Sequence, residues 1–186
     1  MTSQGSRGSS AVRRAAPALT VWIYESALGA TAAEVRLKSL RDRKAVEVHD
    51  AITVSWMPGS HRPLIGHLRH EKSTPYPRRS VLAGLVGLVF VDPAAGVPPE
   101  ASLATLAQRL VGTGVDQTFL QDLKAQLHPE SSALLVLSGD ADLEVVRPVI
   151  ERGLARGDVV LMHAQMPPGA PAMLRAAVLD LQDRRA

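Results

Sequence analysis

An uninterrupted apolar run from Val81 to Val91 (VLAGLVGLVFV) is entered through Arg78-Arg79 and closed by Asp92-Pro93. Wound as a helix, a segment of this length rises roughly 16 Å, whereas the hydrocarbon core of a bilayer is about 30 Å thick. The run is therefore too short to span a membrane alone. It needs a dry environment in the protein's own core, against a partner, or at the surface of a bilayer. Its glycines do not make a phosphate loop, because the GK[ST] ending is missing and the flanks are apolar. Ala83 and Gly87, four residues apart, place two small side chains on one helical face and invite another helix to approach.

With 186 residues the chain is long enough for one domain with a real core, and two would each be thin. Only 3% of residues are aromatic, so that core must be built mainly from Leu, Val and Ala. The absence of cysteine removes disulfides, thiolate metal sites and thiol nucleophiles and is compatible with a reducing cytoplasm. Residues 1–18 carry arginines but no continuous apolar stretch before Leu19 and read as a flexible basic tail without a secretory signal. A single domain is expected over 19–181, with a helical insertion at about 78–130 and a short tail at 182–186. The net charge of +3 is too mild to announce a nucleic-acid binder. Between His61 and Arg79, however, Arg62, Arg69, Lys72, Arg78 and Arg79 stand against Glu71 alone, a local net of +4.

Leu19 to Glu25 is dense in β-formers on both parities and reads as an interior strand. Thr31-Ala-Ala-Glu34 fits a capping box, followed by Ala33, Leu37 and Leu40 on one helical face. Val46 to Met57 alternates, Pro58-Gly59 turns, and Leu64 to His70 returns as a hairpin partner. Leu103, Leu106, Ala107, Leu110 and Val111 mark an amphipathic helix ended by Gly112 and Gly114. Asp116 caps another, with Phe119, Leu120, Leu123 and Leu127 inward. Ser132 to Ser138 reads as a strand buried on both faces. Asp142 caps a helix containing Pro148, which should kink it. Val159 to Gln165 is a further strand, and the closing helix turns Met173, Leu174, Ala177, Val178 and Leu181 inward. This order predicts an α+β fold, a ferredoxin-like split βαβ mixed sheet with helices on one face and an inserted apolar and amphipathic helical segment.

The chain resembles a bacterial family of uncharacterised proteins, domain-of-unknown-function family 1269, generally labelled as predicted membrane proteins. The resemblance rests on Asp50-Ala51-Ile52-Thr53-Val54, on Ala83 to Phe90 followed by Asp92-Pro93, and on Gly114-Val115-Asp116 with Phe119-Leu120 leading to Pro129-Glu130-Ser131-Ser132-Ala133-Leu134. It covers roughly Leu19 to Leu181. In that family the glycine-rich segment looks like a two-pass apolar hairpin. Here the second arm departs, with Val97-Pro98-Pro99-Glu100 and an amphipathic helix containing Gln108 and Arg109. The resemblance implies no catalytic residue.

His61, His67 and His70 are the only concentrated ligand set, but His70 has the opposite strand parity and no Asp or Cys completes a site. His49, His128 and His163 are isolated and read as structural. Glu47 with Asp50, Asp140 with Asp142, and Glu100 alone are the carboxylates considered for acid–base work; Asp140 and Asp142 occupy turn and cap positions. Ser60-His61 lacks the elbow of a nucleophile. No catalytic, cofactor or metal residue follows from the sequence. The expected function is non-enzymatic: self-association, or docking on a protein partner or anionic membrane surface, through Arg78, Arg79, Ala83, Gly84, Leu85, Gly87, Leu88 and Phe90. The expected location is the cytoplasm, peripheral at the inner face of the membrane. The first alternative is a small-molecule enzyme or ligand sensor using a sheet-face pocket, with His67, Glu71 and Trp56 as candidate pocket side chains. The second is nucleic-acid binding through the Arg62 to Arg79 segment, which has only Tyr76 as an aromatic platform.

Overall fold

The computed structural model describes residues 14–68, 80–90 and 99–183. Strands β1 (Arg14–Ala15) and β2 (Ala18–Tyr24) lead into helix α1 (Gly29–Asp42) and the hairpin of β3 (Val46–Ser55) and β4 (Leu64–His67). Helices α2 (Val81–Phe90), α3 (Pro99–Arg109) and α4 (Gln117–Gln126) precede β5 (Ser132–Asp142), α5 (Leu143–Leu154), β6 (Val159–Gln165) and α6 (Ala170–Asp183). The sheet runs β4-β3-β5-β2-β6, and β1 pairs with β5 in the same register as β2. The first sheet residues therefore lie within the stretch expected to be a tail, 1–18.

The crossover β2-α1-β3 leaves room for β5 between its strands, and β5-α5-β6 leaves room for β2. This interleaving is compatible with the expected split βαβ arrangement. It also makes every pairing antiparallel, not mixed, because each crossover's two parallel strands are separated by one running the other way.

Helices cover both faces of the sheet, where one covered face was expected. The cause lies in the central strands, which are apolar on both parities. Leu19, Val21, Ile23, Leu135 and Leu137 face one side, packed with α2, α3, α4 and α6. Tyr24, Leu134 and Val136 face the other, packed with Ala30, Ala33 and Leu37 of α1. A strand apolar on both faces is stable only where both are covered.

Helix α2 occupies the first of these faces. Val81, Leu82, Leu85, Val86 and Val89 are at most 1% exposed, and each such burial is worth about 1.5–3 kcal/mol. Close approach is made at Gly84, where an added Cβ would meet Val178 Cγ1 of α6 at 2.6 Å. The pair Ala83 and Gly87, singled out for helix contact, lies instead on the half-buried outer side, roughly 60–100° round the helix from Gly84. At the far end Phe90 meets Trp56 edge to face, with ring centroids 5.7 Å apart.

The start of α2 is held by the sheet. Buried Asp50 accepts hydrogen bonds from the Leu82 amide and the Ser80 hydroxyl, each at 2.9 Å. A carboxylate there satisfies an amide with no partner inside the helix. Asp50 reaches this face because β3 slips register against β5 between Val46 and Val48 and again between Val48 and Asp50. Val46 and Val48 pack toward the α1 face, whereas Ile52 and Val54, of the same sequence parity, pack toward α2. A bulge turns the strand over in this way.

Asp116 and Asp142 cap α4 and α5 as expected, accepting from Phe119 N and Glu144 N. The Thr31–Glu34 capping box does not form. Helix α1 begins at Gly29 with no side-chain cap from its own start, the Ala30 amide donates to Ser132 Oγ of β5, and Glu34 pairs with Lys38 at 2.8 Å. A tertiary acceptor thus replaces the local one. Met173, expected inward, is 50% exposed, while Leu174 and Val178 are buried.

Candidate functional site

The two faces of the sheet are not filled equally. Under α2 and α6 the packing is closed, but α5 is held away from the second face. Its apolar stripe of Leu143, Val146, Val149 and Ile150 remains half-buried. Near its end α5 approaches closely, where Gly153 lies over Trp22 and an added Cβ would come within 3.1 Å of the ring. Between this stripe, α1 and the strands lies a cavity of about 190 Å³.

The floor comes from alternate residues of the inner strands, Trp22 and Ala18 on β2 and Leu134 and Val136 on β5, with Leu37 and Leu40 of α1 as one wall. Few polar groups reach it. At one end Thr20 Oγ1 stands 3.2 Å from His163 Nδ1, across the β2–β6 pairing. Ser138, beside them on the floor, donates to the Ala18 carbonyl. Toward the other end lie Tyr24 and Arg36. Burial raises the Tyr24 phenol above its ordinary range, Arg36 and Arg156 partly offset this, and Asp158 adds to it. At neutral pH the hydroxyl is protonated and available as a donor.

The residues expected at an interface lie elsewhere. Gly84, Leu85 and Leu88 are buried in the core on the opposite face, and Ala83, Gly87 and Phe90 are half-buried there. Arg78 and Arg79 lie outside the described residues, as do Arg69, His70, Glu71, Lys72 and Tyr76. Arg62, His61 and His67 are exposed near the β4 edge, and no group of three or more His, Cys, Asp or Glu suited to a metal forms among the described residues. Trp56, considered for a sheet-face pocket, packs on the α2 side and donates to the Ser60 carbonyl. Asp50 is used to hold α2, and Asp142 to cap α5. The side chain of Glu100 is outside the described residues. Among the described residues no helix is long and apolar enough to cross a membrane.

Thr20, Trp22 and Arg36 were not singled out in sequence, and His163 was read as structural. The available signal was the period of Leu143, Val146, Val149, Ile150 and Gly153, a continuous apolar stripe whose partner is incompletely supplied.

No curated protein and no solved structure matches the chain. A family model does match over residues 80–175, from the start of α2 through α6 as far as Arg175, and its description is "Protein of unknown function (DUF1269)". That span covers the buried helix and its supporting insertion, β5, α5 over the cleft and β6. The chain belongs to this family, DUF1269.

Proposed function

We propose that the protein binds a small, largely apolar molecule in the cleft between α1 and α5. The observation that carries this reading is the half-buried stripe of α5 standing over an apolar floor, with no side chain among the described residues to fill the gap. Pockets for small molecules are typically apolar with a few convergent polar groups, as this one is. An apolar cavity of about 150 Å³ accommodates benzene, so this one has room for a single ring with a short substituent. Thr20 and His163 resemble a hydroxyl beside a base, but among the described residues no carboxylate lines the cleft to orient the imidazole. Binding, not conversion, fits that lining. Docking through α2 has less support, because most of that helix is already covered by α6 and the sheet.

Titration of the ¹⁵N-labelled protein with indole tests this reading. Saturation is expected at about 1 mM or below, with shifts centred on Trp22, Leu134 and Val146. Val146→Trp, which fills the cavity, should remove the response while the chain stays folded. An absence of shifts, or shifts centred on α2, would contradict the proposal.

A further inference from the structure

We infer that the occupant of the cleft is a small monocarboxylate: one aromatic ring or a short branched chain lying beside Trp22, with its anionic end at Arg36. This rests on the cleft being a ligand site and adds the charge of the ligand.

Among the described residues, those around the cavity include Arg36 and His163 but neither Asp nor Glu. Arg36 is half-buried on the inner side of α1. Among the described residues no carboxylate forms an ion pair with it, and Glu34, its near neighbour on the helix, is held by Lys38. A guanidinium keeps its charge at any ordinary pH and offers a planar fork of donors that matches a carboxylate. Beside an apolar floor this charge is poorly screened, which strengthens its attraction for an anion. Arg156 and Asp158, the other charges acting on Tyr24, are of opposite sign, so the excess at that end belongs to Arg36. The protonated Tyr24 hydroxyl adds a donor near it. The remaining surface is apolar, which favours a carboxylate with a hydrophobic body over a phosphate or a polyanion. A volume of about 190 Å³ suits a compact body better than a long acyl chain.

The test compares phenylacetate with phenylacetamide, nearly equal in shape and different in charge, by calorimetry and NMR at pH 7 and low salt. Phenylacetate is expected to bind roughly tenfold more tightly, the scale of one hydrogen bond to a charged group. Arg36→Gln should bring phenylacetate down to the level of the amide and leave the amide unchanged. Arg36→Lys, which keeps the charge and loses the fork, should fall between. Equal binding of both compounds to the unmodified protein would overturn the carboxylate inference and leave the ligand cleft standing. Survival of the preference in a folded Arg36→Gln variant would do the same. Failure of both compounds to bind, together with no response to indole, would overturn the cleft itself.

Discussion

Leu85→Asp is expected to leave the chain without a cooperative unfolding transition. Leu85 has no exposed surface and stands between the sheet and the helices around it. Removing a buried leucine costs about 2–5 kcal/mol in transfer and cavity terms. Installing a carboxylate there adds several more, because no described cation is placed to pair with it. Domains of this size are stable by only about 5–15 kcal/mol, so the combined loss removes most or all of the margin. Far-UV circular dichroism with urea titration reads this directly. Gly87→Ala, two residues further along, is the control. Apart from its chain neighbours and the helix's own nearby backbone, no described atom lies within 4 Å of the position its Cβ would take, and replacing a helical glycine should stabilise by about 0.5–1 kcal/mol. A folded Leu85→Asp protein that had lost only self-association would show that α2 serves an interface.

Gly114→Ala is expected to cost about 3 kcal/mol or more. Gly114 has φ of +88°, a conformation that L side chains rarely adopt, and an added Cβ would overlap the backbone carbonyl oxygen of Gln165 at the end of β6. Neither backbone can yield without displacing the helical insertion from the sheet. Gly112 separates the two contributions. Its φ is similar, +85°, but its Cβ would meet only the flexible tip of Met173 at 3.3 Å. Gly112→Ala should therefore lose only about 1 kcal/mol, the cost of the backbone conformation. Equal urea midpoints for the two variants would show that the approach of Gly114 to β6 contributes nothing.

What could be read in the sequence was what local pattern decides. Leu19 to Tyr24 and Ser132 to Ser138 declare interior strands through apolar residues on both parities, and Asp116 and Asp142 announce caps because their acceptor function needs only the next turn of chain. Those same strands are apolar on both parities, and the structure covers both faces where helices on one face were expected. What was hidden depends on distant residues. The α1 start is tied to Ser132, more than a hundred positions away, so Thr31 and Glu34 looked like a box that the fold does not use. The first slip falls on β5 at Gly139-Asp140 and the second on β3 at His49, and together they turn Asp50 toward α2 and make an ordinary strand aspartate the anchor of the apolar helix. The cleft was hidden for a similar reason. Whether α5 closes on the sheet depends on its separation from Trp22 and Leu134, which no periodicity encodes. Isolated in sequence, His163 gains a partner only through the pairing of β6 with β2.

One face of the sheet is closed by α2, while the other retains an open apolar cleft beneath α5. Because the chain contains no cysteine, a single introduced thiol reports on its own position without background. The most direct measurement of this asymmetry is the labelling rate of Leu85→Cys and Val146→Cys with a small thiol reagent under native conditions. Val146→Cys is expected to react within about tenfold of an unfolded peptide. Leu85→Cys should react only through unfolding, at least about a thousandfold more slowly. Comparable rates at the two sites, whether both fast or both protected, would contradict the account.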